Sequence, residues 1–276
     1  MPGLLLGIKK TAEECPVEHH PTVDGYQEFT LVDYSSAEPA FELEKKLIMF
    51  SEPSTISLLC ECVHLPAKYT IERVREVYNK ICTTCGYENF IRTSPGARIE
   101  RRGPGGRGFS RLTLTGDRFQ FAEDHMGITA EQFGRKVKTV LEDAMPALGV
   151  PAILVQQVTV RATCMPNALS SAREFLSSSI FRVQGEDLQG FGRPAGLHGF
   201  RLVFPADKEH PGAFNVRVEA YLRDPRSIYI ENVGTYKAPT QVKDLDVLQG
   251  QIEQVSEFIL TGIVPFLSKY DRRAGE

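Results

Sequence analysis

Hydrophobic and polar residues follow two distinct periods along most of this chain. From Pro53 onward, runs with a period of two alternate with runs in which apolar residues recur every three or four positions. The first period is typical of strands that bury one face, and the second of helices that bury one stripe. The pattern therefore predicts an α+β protein. Residues 1–50 are the one stretch that shows no sustained period.

Residues 51–150 predict one strand, a helix, three further strands and a second helix. The predicted elements are a strand at 55–64, a helix from Thr70 to Gly86, strands at 97–102, 109–115 and 117–123, and a helix from Thr129 that Pro146 and Gly149 end. In the first strand the buried positions are predicted to be Leu58, Cys60, Cys62 and His64. Thr129 and Gln132 have the spacing of a capping box, which supports the start of the second helix.

Residues 151–271 predict the same order of elements. These are a strand at 152–164, a helix carrying Ala172, Phe175, Leu176 and Ile180, a glycine-rich connection at 185–196, strands at 198–204, 214–223 and 226–236, and a final helix. The final helix has the clearest apolar stripe, formed by Leu245, Leu248, Ile252, Val255, Ile259 and Ile263. The positions predicted to face inward on two of the strands are Phe200, Leu202, Phe204, Phe214, Val216, Val218, Ala220 and Leu222.

The two halves together predict one long curved antiparallel sheet. Each half has the order β-α-β-β-β-α, and strands with one polar face require helices only on the other face. At the level of the fold, this duplicated arrangement is similar to that of the TATA-binding protein, which by itself implies no function. Residues 1–50 are predicted to be a partly ordered extension that could dock a partner, and residues 272–276 a tail.

Composition predicts a cytoplasmic protein with free thiols. The chain has 276 residues, 42% of them hydrophobic, and a net charge of −3, so no global attraction to nucleic acid or membrane follows. The opening MPGLLLGIKK contains too short an apolar run for a signal peptide or a membrane anchor. Six cysteines are few for a disulfide framework in a chain of this length.

Arginines are concentrated on the predicted polar face of the sheet. A guanidinium binds carboxylates and phosphates in a bidentate fashion, so this face is a candidate surface for binding a partner. The alternative is that these charges only keep a solvent-exposed sheet from aggregating. Residues expected on this face include Arg111, Arg118, Gln120, Arg161, Arg201, Asn215, Arg217, Glu219, Tyr221 and Arg223.

A second basic feature is the segment ARIERRGPGGRGFSRL, which predicts a mobile hairpin tip. Its local positive charge could bind a phosphate backbone or an acidic protein surface. It lacks the Gly-Lys-Ser/Thr ending of a nucleotide-binding loop, and the alternative is a solvated loop. The arginines in it that we consider as ligands are Arg101, Arg102, Arg107 and Arg111.

Two patterns suggest metal sites, and each has an ordinary alternative. Cys60, Cys62, Cys82 and Cys85 could supply four thiolates to zinc, although small buried core residues explain them equally well. Glu42, Glu44 and Lys46 match the E-x-E-x-K pattern of the triphosphate-tunnel enzymes. That resemblance covers five residues only, and it implies that Glu42 and Glu44 hold Mg²⁺ or Mn²⁺ for triphosphate hydrolysis. No catalytic residue and no cofactor is otherwise indicated.

Two stretches resemble a sporadically distributed, uncharacterised bacterial family of about 250 residues. They are GVPAILVQQVTVRATCMPN (149–167), with Arg161 and Asn167 near that family's Arg and Asn positions, and DVLQGQIEQVSEFILTGIVPFLSKY (246–270). The resemblance implies a similar fold over about residues 55–270 and adds no catalytic residue.

The sequence therefore favours a non-enzymatic cytosolic binding or assembly protein. Its arginine-bearing face, its glycine- and arginine-rich hairpin or its first 50 residues would engage a protein partner or a second copy of the chain. The alternatives are a nucleic-acid-binding protein that uses the same basic features and a metal-dependent triphosphate hydrolase.

Overall fold

The computed structural model describes residues 19–21, 27–29, 50–94, 96–167, 171–183, 185–193 and 198–271. The chain forms two compact units, Met1–Leu47 and Ile48–Glu276. In the first unit, β1 (His19–Pro21) pairs antiparallel with β2 (Gln27–Phe29). The segment with Glu42, Glu44 and Lys46 lies outside the described residues, as do the tail residues 272–276.

The described residues of the second unit form ten further strands and the helices that cover them. The strands are β3 (Ser54–His64), β4 (Asn89–Thr93), β5 (Gly96–Arg102), β6 (Phe109–Thr115), β7 (Arg118–Asp124), β8 (Ala152–Cys164), β9 (Gly199–Phe204), β10 (Gly212–Ala220), β11 (Ile228–Tyr236) and β12 (Thr240–Gln241). The α-helices are α1 (Ile71–Cys85), α2 (Ala130–Leu148), α3 (Ala172–Glu174), α4 (Leu245–Phe258) and α5 (Val264–Ser268). Helix α3 continues as a π-helical stretch (Phe175–Phe181), and a second such stretch (Ile259–Ile263) joins α4 to α5.

One antiparallel sheet organises this unit. The strand order is β4-β5-β6-β7-β3-β8-β11-β10-β9, and β12 pairs with β8. The two longest strands, β3 and β8, lie side by side at its centre, with a register shift between Thr55 and Ser57. The fold is therefore α+β, with a single large antiparallel sheet as predicted.

Helices cover one face of the sheet and enclose a single hydrophobic core. Alternate residues of β3 (Leu58, Cys60 and Cys62) are buried, as the period of two predicted. Two buried amides tie α4 to the sheet: Gln156 donates to the carbonyl of Leu248 at 3.1 Å, and Asn232 donates to that of Val255 at 2.9 Å. We call the other face the open face; its polar side chains include the exposed Gln120 and Gln157 and the half-exposed Glu61 and Thr159.

One glycine lets α4 approach the sheet closely. A Cβ at Gly234 in β11 would lie 2.3 Å from Cγ2 of Val255, which is too close for any side chain. The apolar stripe of the final helix can therefore rest directly on the β11 backbone.

The predicted helix boundaries are largely confirmed. Thr70 caps α1, Gly86 ends it in the left-handed conformation, and the capping box of Thr129 and Gln132 opens α2. Pro146 does not end α2, contrary to expectation. The helix continues to Leu148, because a proline in the last turn removes only one helical hydrogen bond.

Three differences concern the strands. Strand β4 was not predicted: it is an edge strand held only by β5, and its burial is too slight to leave a clear period. Leu222 was predicted to face inward but is 83% exposed, because β10 ends at Ala220 and the chain then turns. Phe204 was also expected inside and is 38% exposed at the end of the edge strand β9. Within the described ranges, no helix is long and apolar enough to span a bilayer.

Candidate functional site

A row of charged side chains crosses four adjacent strands on the open face. Arg161 of β8 lies directly opposite Glu231 of β11, which lies opposite Arg217 of β10, which in turn lies opposite Arg201 of β9. We call these four residues the arginine row. The strand register alone brings them together, since Arg161 and Glu231 are 70 positions apart in sequence.

Glu231 is the hub of this row. Its carboxylate accepts a hydrogen bond from Nε of Arg161 at 2.7 Å and lies 3.3 Å from Nη2 of Arg217. The side chain is only 15% exposed. Burial acts to raise the pKa of Glu231, but hydrogen bonds from Arg161 and Tyr229, together with the charges of both arginines, lower it overall. The carboxylate is therefore charged at neutral pH.

Two tyrosines support the same row. The hydroxyl of Tyr229 donates to Glu231 at 3.0 Å, and its ring lies 5.3 Å from the guanidinium carbon of Arg217. Tyr221 stacks on Tyr229 with ring centroids 5.9 Å apart. The aromatic rings and hydrogen bonds hold Arg217 in one orientation, which reduces the entropy it would lose on binding a ligand.

The arginine row has more positive than negative charge. Arg217 and Arg201 face each other directly, an arrangement of like charges that destabilises a sheet. Arg201 donates to the neutral side chain of Asn215 and, among the residues described, forms no ion pair. Arg223, in the exposed turn after β10, likewise has no acidic partner there. An excess of guanidinium groups thus remains at this end of the open face.

The other end of the open face is electrically balanced. Arg118 donates to Glu61 at 2.8 Å and to Asp117 at 2.7 Å, and Arg111 shares Glu100 with Arg98. The hydrogen bonds from Arg118 lower the pKa of Asp117 to about 2. The arginines predicted here therefore lie on the expected face, but most of their charge is neutralised within the protein.

The hairpin arginines do not form one group. Arg102 and Arg107 are exposed on either side of a 3-10 turn (Pro104–Gly106). Arg101 instead lies on the helix-covered side, because it alternates with the buried residues Ala97 and Ile99 on β5. The expectation that Arg101 belongs to an exposed basic tip is wrong for this reason.

The four cysteines considered for zinc do not meet. Sγ of Cys60 lies 3.6 Å from Sγ of Cys62 in the core, whereas Cys82 donates to the carbonyl of Asn79 on α1. A hydrogen bond between the Cys62 thiol and Sγ of Cys60, followed by burial, raises the pKa of Cys62, and burial raises that of Cys85. Across the described part of the chain, no group of three or more His, Cys, Asp or Glu side chains is arranged to hold a metal ion.

A polar cluster lies on the other side of the sheet, beneath α2. Nζ of Lys136 donates to Oε1 of Glu123 at 2.7 Å and to Oγ of Ser110 at 2.6 Å, and Ser110 donates to the same Glu123 oxygen at 2.7 Å. Lys136 is 13% and Glu123 4% exposed. Nζ also lies 4.3 Å from the ring centre of Tyr87, and burial, followed by the charge of Glu123, raises the pKa of that tyrosine well above its usual value.

This cluster forms the floor of a cleft of about 460 Å³ between α1, α2 and the sheet. Arg101 is part of its wall, with a buried Nε that makes no hydrogen bond. A Cβ at residue 86 would lie 2.9 Å from Nη1 of Arg101, so Gly86 leaves room for this guanidinium. The cleft is lined by Thr84, Cys85, Arg101, Glu123, Ile128, Gln132, Arg135, Lys136 and Thr139.

This cleft was not predicted from the sequence, although the sequence contains a signal for it. Arg101 and Glu123 each end an apolar alternation, after Ile99 and Phe121 respectively, so a period of two already places both on the buried face. Lys136 likewise lies in the apolar stripe of α2, three residues after Phe133. Polar residues at buried positions of neighbouring elements were the sign that could have revealed it.

Comparison with known proteins adds no functional information. No protein-family model matches the chain, and a search of curated proteins finds no match. The function is therefore inferred from the geometry of the described residues.

Proposed function

We propose that this chain is a non-enzymatic cytosolic binding protein whose arginine row engages an acidic segment of a protein partner. One observation carries the proposal: Arg217 and Arg201 lie directly opposite each other, and neither nearby carboxylate pairs with Arg201. Glu231 is shared by Arg161 and Arg217, and Glu219 lies 3.9 Å from Arg217. The repulsion between the two facing guanidinium groups would be relieved by carboxylates from a partner.

The distribution of charge favours an acidic protein segment over nucleic acid. A protein that follows a phosphate backbone needs a continuous track of free cations. The excess positive charge here is local, since Arg111 and Arg118 at the other end of the open face are already paired with carboxylates. The stacked rings of Tyr221 and Tyr229 supply a rigid flat surface of the kind enriched in protein interfaces.

We further propose that the unit arose by internal duplication. Two features support this: β3 and β8 pair antiparallel at the centre of the sheet, and each is followed by a helical segment, antiparallel strands and a long amphipathic helix. The first part has one strand more than the predicted order, namely β4.

The test measures binding of short Asp/Glu-rich peptides by fluorescence anisotropy, with matched Asn/Gln-rich peptides, single-stranded RNA and duplex DNA as separate arms. The double variant Arg201→Glu/Arg223→Glu removes cations that stabilise no carboxylate in the described structure, so the fold is preserved. Arg201→Glu and Arg223→Glu are also measured singly, and Arg73→Glu, which makes the same change of charge on the exposed surface of α1, is the control for each of them.

We expect the wild type to prefer the acidic peptides, and the double variant to bind them at least about tenfold more weakly, since a charge-assisted hydrogen bond contributes about 1.5–3 kcal/mol. The control should bind as the wild type does, and added salt should weaken binding. Equal binding of acidic and neutral peptides would overturn the proposal. Tighter binding of RNA or DNA than of peptide would replace it with a nucleic-acid function.

A further inference from the structure

The cleft beside α2 holds a positive charge that is paired with no acidic side chain in the described part of the chain. Arg101 forms no hydrogen bond or ion pair with any residue in the described ranges, and its Nε is sealed from solvent. An uncompensated, partly desolvated guanidinium is unfavourable in a folded protein. A buried polar group without a partner calls for an explanation, and a ligand that supplies the missing negative charge provides one here.

The other cations of the cleft have defined roles. Lys136 has three N–H donors: two bind Glu123 and Ser110, and the ammonium also faces the ring of Tyr87. Lys136 therefore contributes charge to the floor and has little capacity for a further hydrogen bond. Arg135 lies at the rim, 60% exposed, where it pairs only loosely with Glu131 at 3.3 Å.

The charge balance points to a ligand with two negative charges. The lining side chains include three cations, Arg101, Arg135 and Lys136, and one carboxylate, Glu123. With the Arg135–Glu131 pair intact the excess is one charge, that of Arg101, and a ligand that draws Arg135 away from Glu131 raises it to about two. Two positive charges match a phosphate monoester, which carries about −1.5 to −2 at neutral pH. The volume of about 460 Å³ lies within the range of pockets that bind small molecules.

Neutral groups around the wall suit the remainder of such a ligand. The lining includes the hydroxyl-bearing residues Thr84 and Thr139 and the amide of Gln132. Both hydrogen bonds that Glu123 receives from Ser110 and Lys136 go to Oε1, which leaves Oε2 able to accept one from a ligand hydroxyl. Recognition of the anion would therefore come from Arg101 and Arg135, and recognition of the attached alcohol from Glu123.

We infer that the cleft is a binding site for a small phosphorylated molecule, with its phosphate on Arg101 and Arg135 above the Lys136–Glu123–Ser110 floor. The site is separate from the arginine row, because it lies on the helix-covered side of the sheet. Binding of a ligand in this cleft is independent of the proposed binding of a partner on the open face.

Isothermal titration calorimetry of the full chain with glycerol phosphate, inorganic phosphate and succinate tests this inference. Arg101→Gln removes the cation that has no protein partner, so the variant should fold as the wild type does. The matched control is Arg102→Gln: it makes the same change at the next residue of β5, where the side chain is exposed. Thermal unfolding of both variants without ligand verifies that each remains folded.

We expect glycerol phosphate to bind the wild type more tightly than succinate, and Arg101→Gln to bind it at least about tenfold more weakly, while Arg102→Gln remains within about twofold of the wild type. Binding should strengthen as the pH rises through about 6, where phosphate loses its second proton. Any of three results would overturn the inference: no phosphate binding by the wild type, equal loss in both variants, or tighter binding of succinate. None of these results bears on peptide binding by the open face.

Discussion

The Lys136–Glu123 pair allows a quantitative test of the buried polar cluster. Replacing Lys136 with Met keeps most of the side-chain volume but leaves the carboxylate of Glu123, which is 4% exposed, with only the hydroxyl of Ser110 as donor. At 2.7 Å and an effective dielectric constant of about 20, the attraction between the two charges is roughly 6 kcal/mol. Part of this lost attraction is offset, because the variant no longer has to remove the Lys136 ammonium from water. Removing one partner of a buried ion pair therefore typically costs about 3–5 kcal/mol.

The assay is urea-induced unfolding followed by circular dichroism, together with thermal unfolding. Lys136→Met should lower the free energy of unfolding by about 3–5 kcal/mol. For a unit of this size, that corresponds to a fall in Tm of roughly 6–20 °C. Lys138→Met, two residues further along α2 in a more exposed ion pair with Asp246, is the control and should lower the free energy of unfolding far less, because solvent screens this pair.

A second variant identifies the cause of the loss. Lys136→Met/Glu123→Gln removes both charges, so no buried carboxylate is left unpaired, and it should be more stable than Lys136→Met alone. If Lys136→Met lowers the free energy of unfolding no more than Lys138→Met does, the buried pair does not stabilise the fold as described. The same holds if the double variant is less stable than the single one.

Two further predictions concern packing and acid stability. Gly234→Ala should lower the free energy of unfolding by about 1–3 kcal/mol, because the new Cβ would lie 2.3 Å from Val255. Gly250→Ala, on the exposed surface of α4, is the control and should be neutral or stabilising. Equal urea midpoints for the two variants would contradict this prediction. Because hydrogen bonds from Arg118 lower the pKa of Asp117 to about 2, the stability that Asp117 contributes should be present above about pH 4 and lost as the pH falls toward 2. The difference in urea midpoint between wild type and Asp117→Asn should therefore shrink toward acid pH, and a constant difference would contradict the ion pair.

The sequence alone determined the local structure of this protein. The stripe from Leu245 to Ile263 is buried as predicted, and so is the alternation of Leu58, Cys60 and Cys62. The capping residues Thr70 and Thr129 begin the helices at the predicted places. These features follow from contacts between residues a few positions apart, so periodicity and capping chemistry were sufficient to find them.

The sequence was less informative where an element buries little. Strand β4 has one neighbour and few buried side chains, so its alternation is faint. Leu222 continues the apolar alternation of β10 in the sequence, yet the hydrogen bond from Asp224 N to the carbonyl of Tyr221 turns the chain and leaves Leu222 exposed. When the apolar alternation continues past the end of a strand, the sequence does not show where the turn begins.

The candidate sites depended on tertiary structure. A period of two places Arg161, Arg217 and Arg201 on one face, but only the register of four strands sets Arg161 and Arg217 around Glu231 and leaves Arg201 without a carboxylate. The Lys136–Glu123–Ser110 floor likewise joins a helix to two strands. Charges interact through space over a few ångströms, whereas the sequence orders them along the chain. The sequence could therefore indicate which face each charge occupies, and the fold decided which charges are paired and which remain available to a ligand.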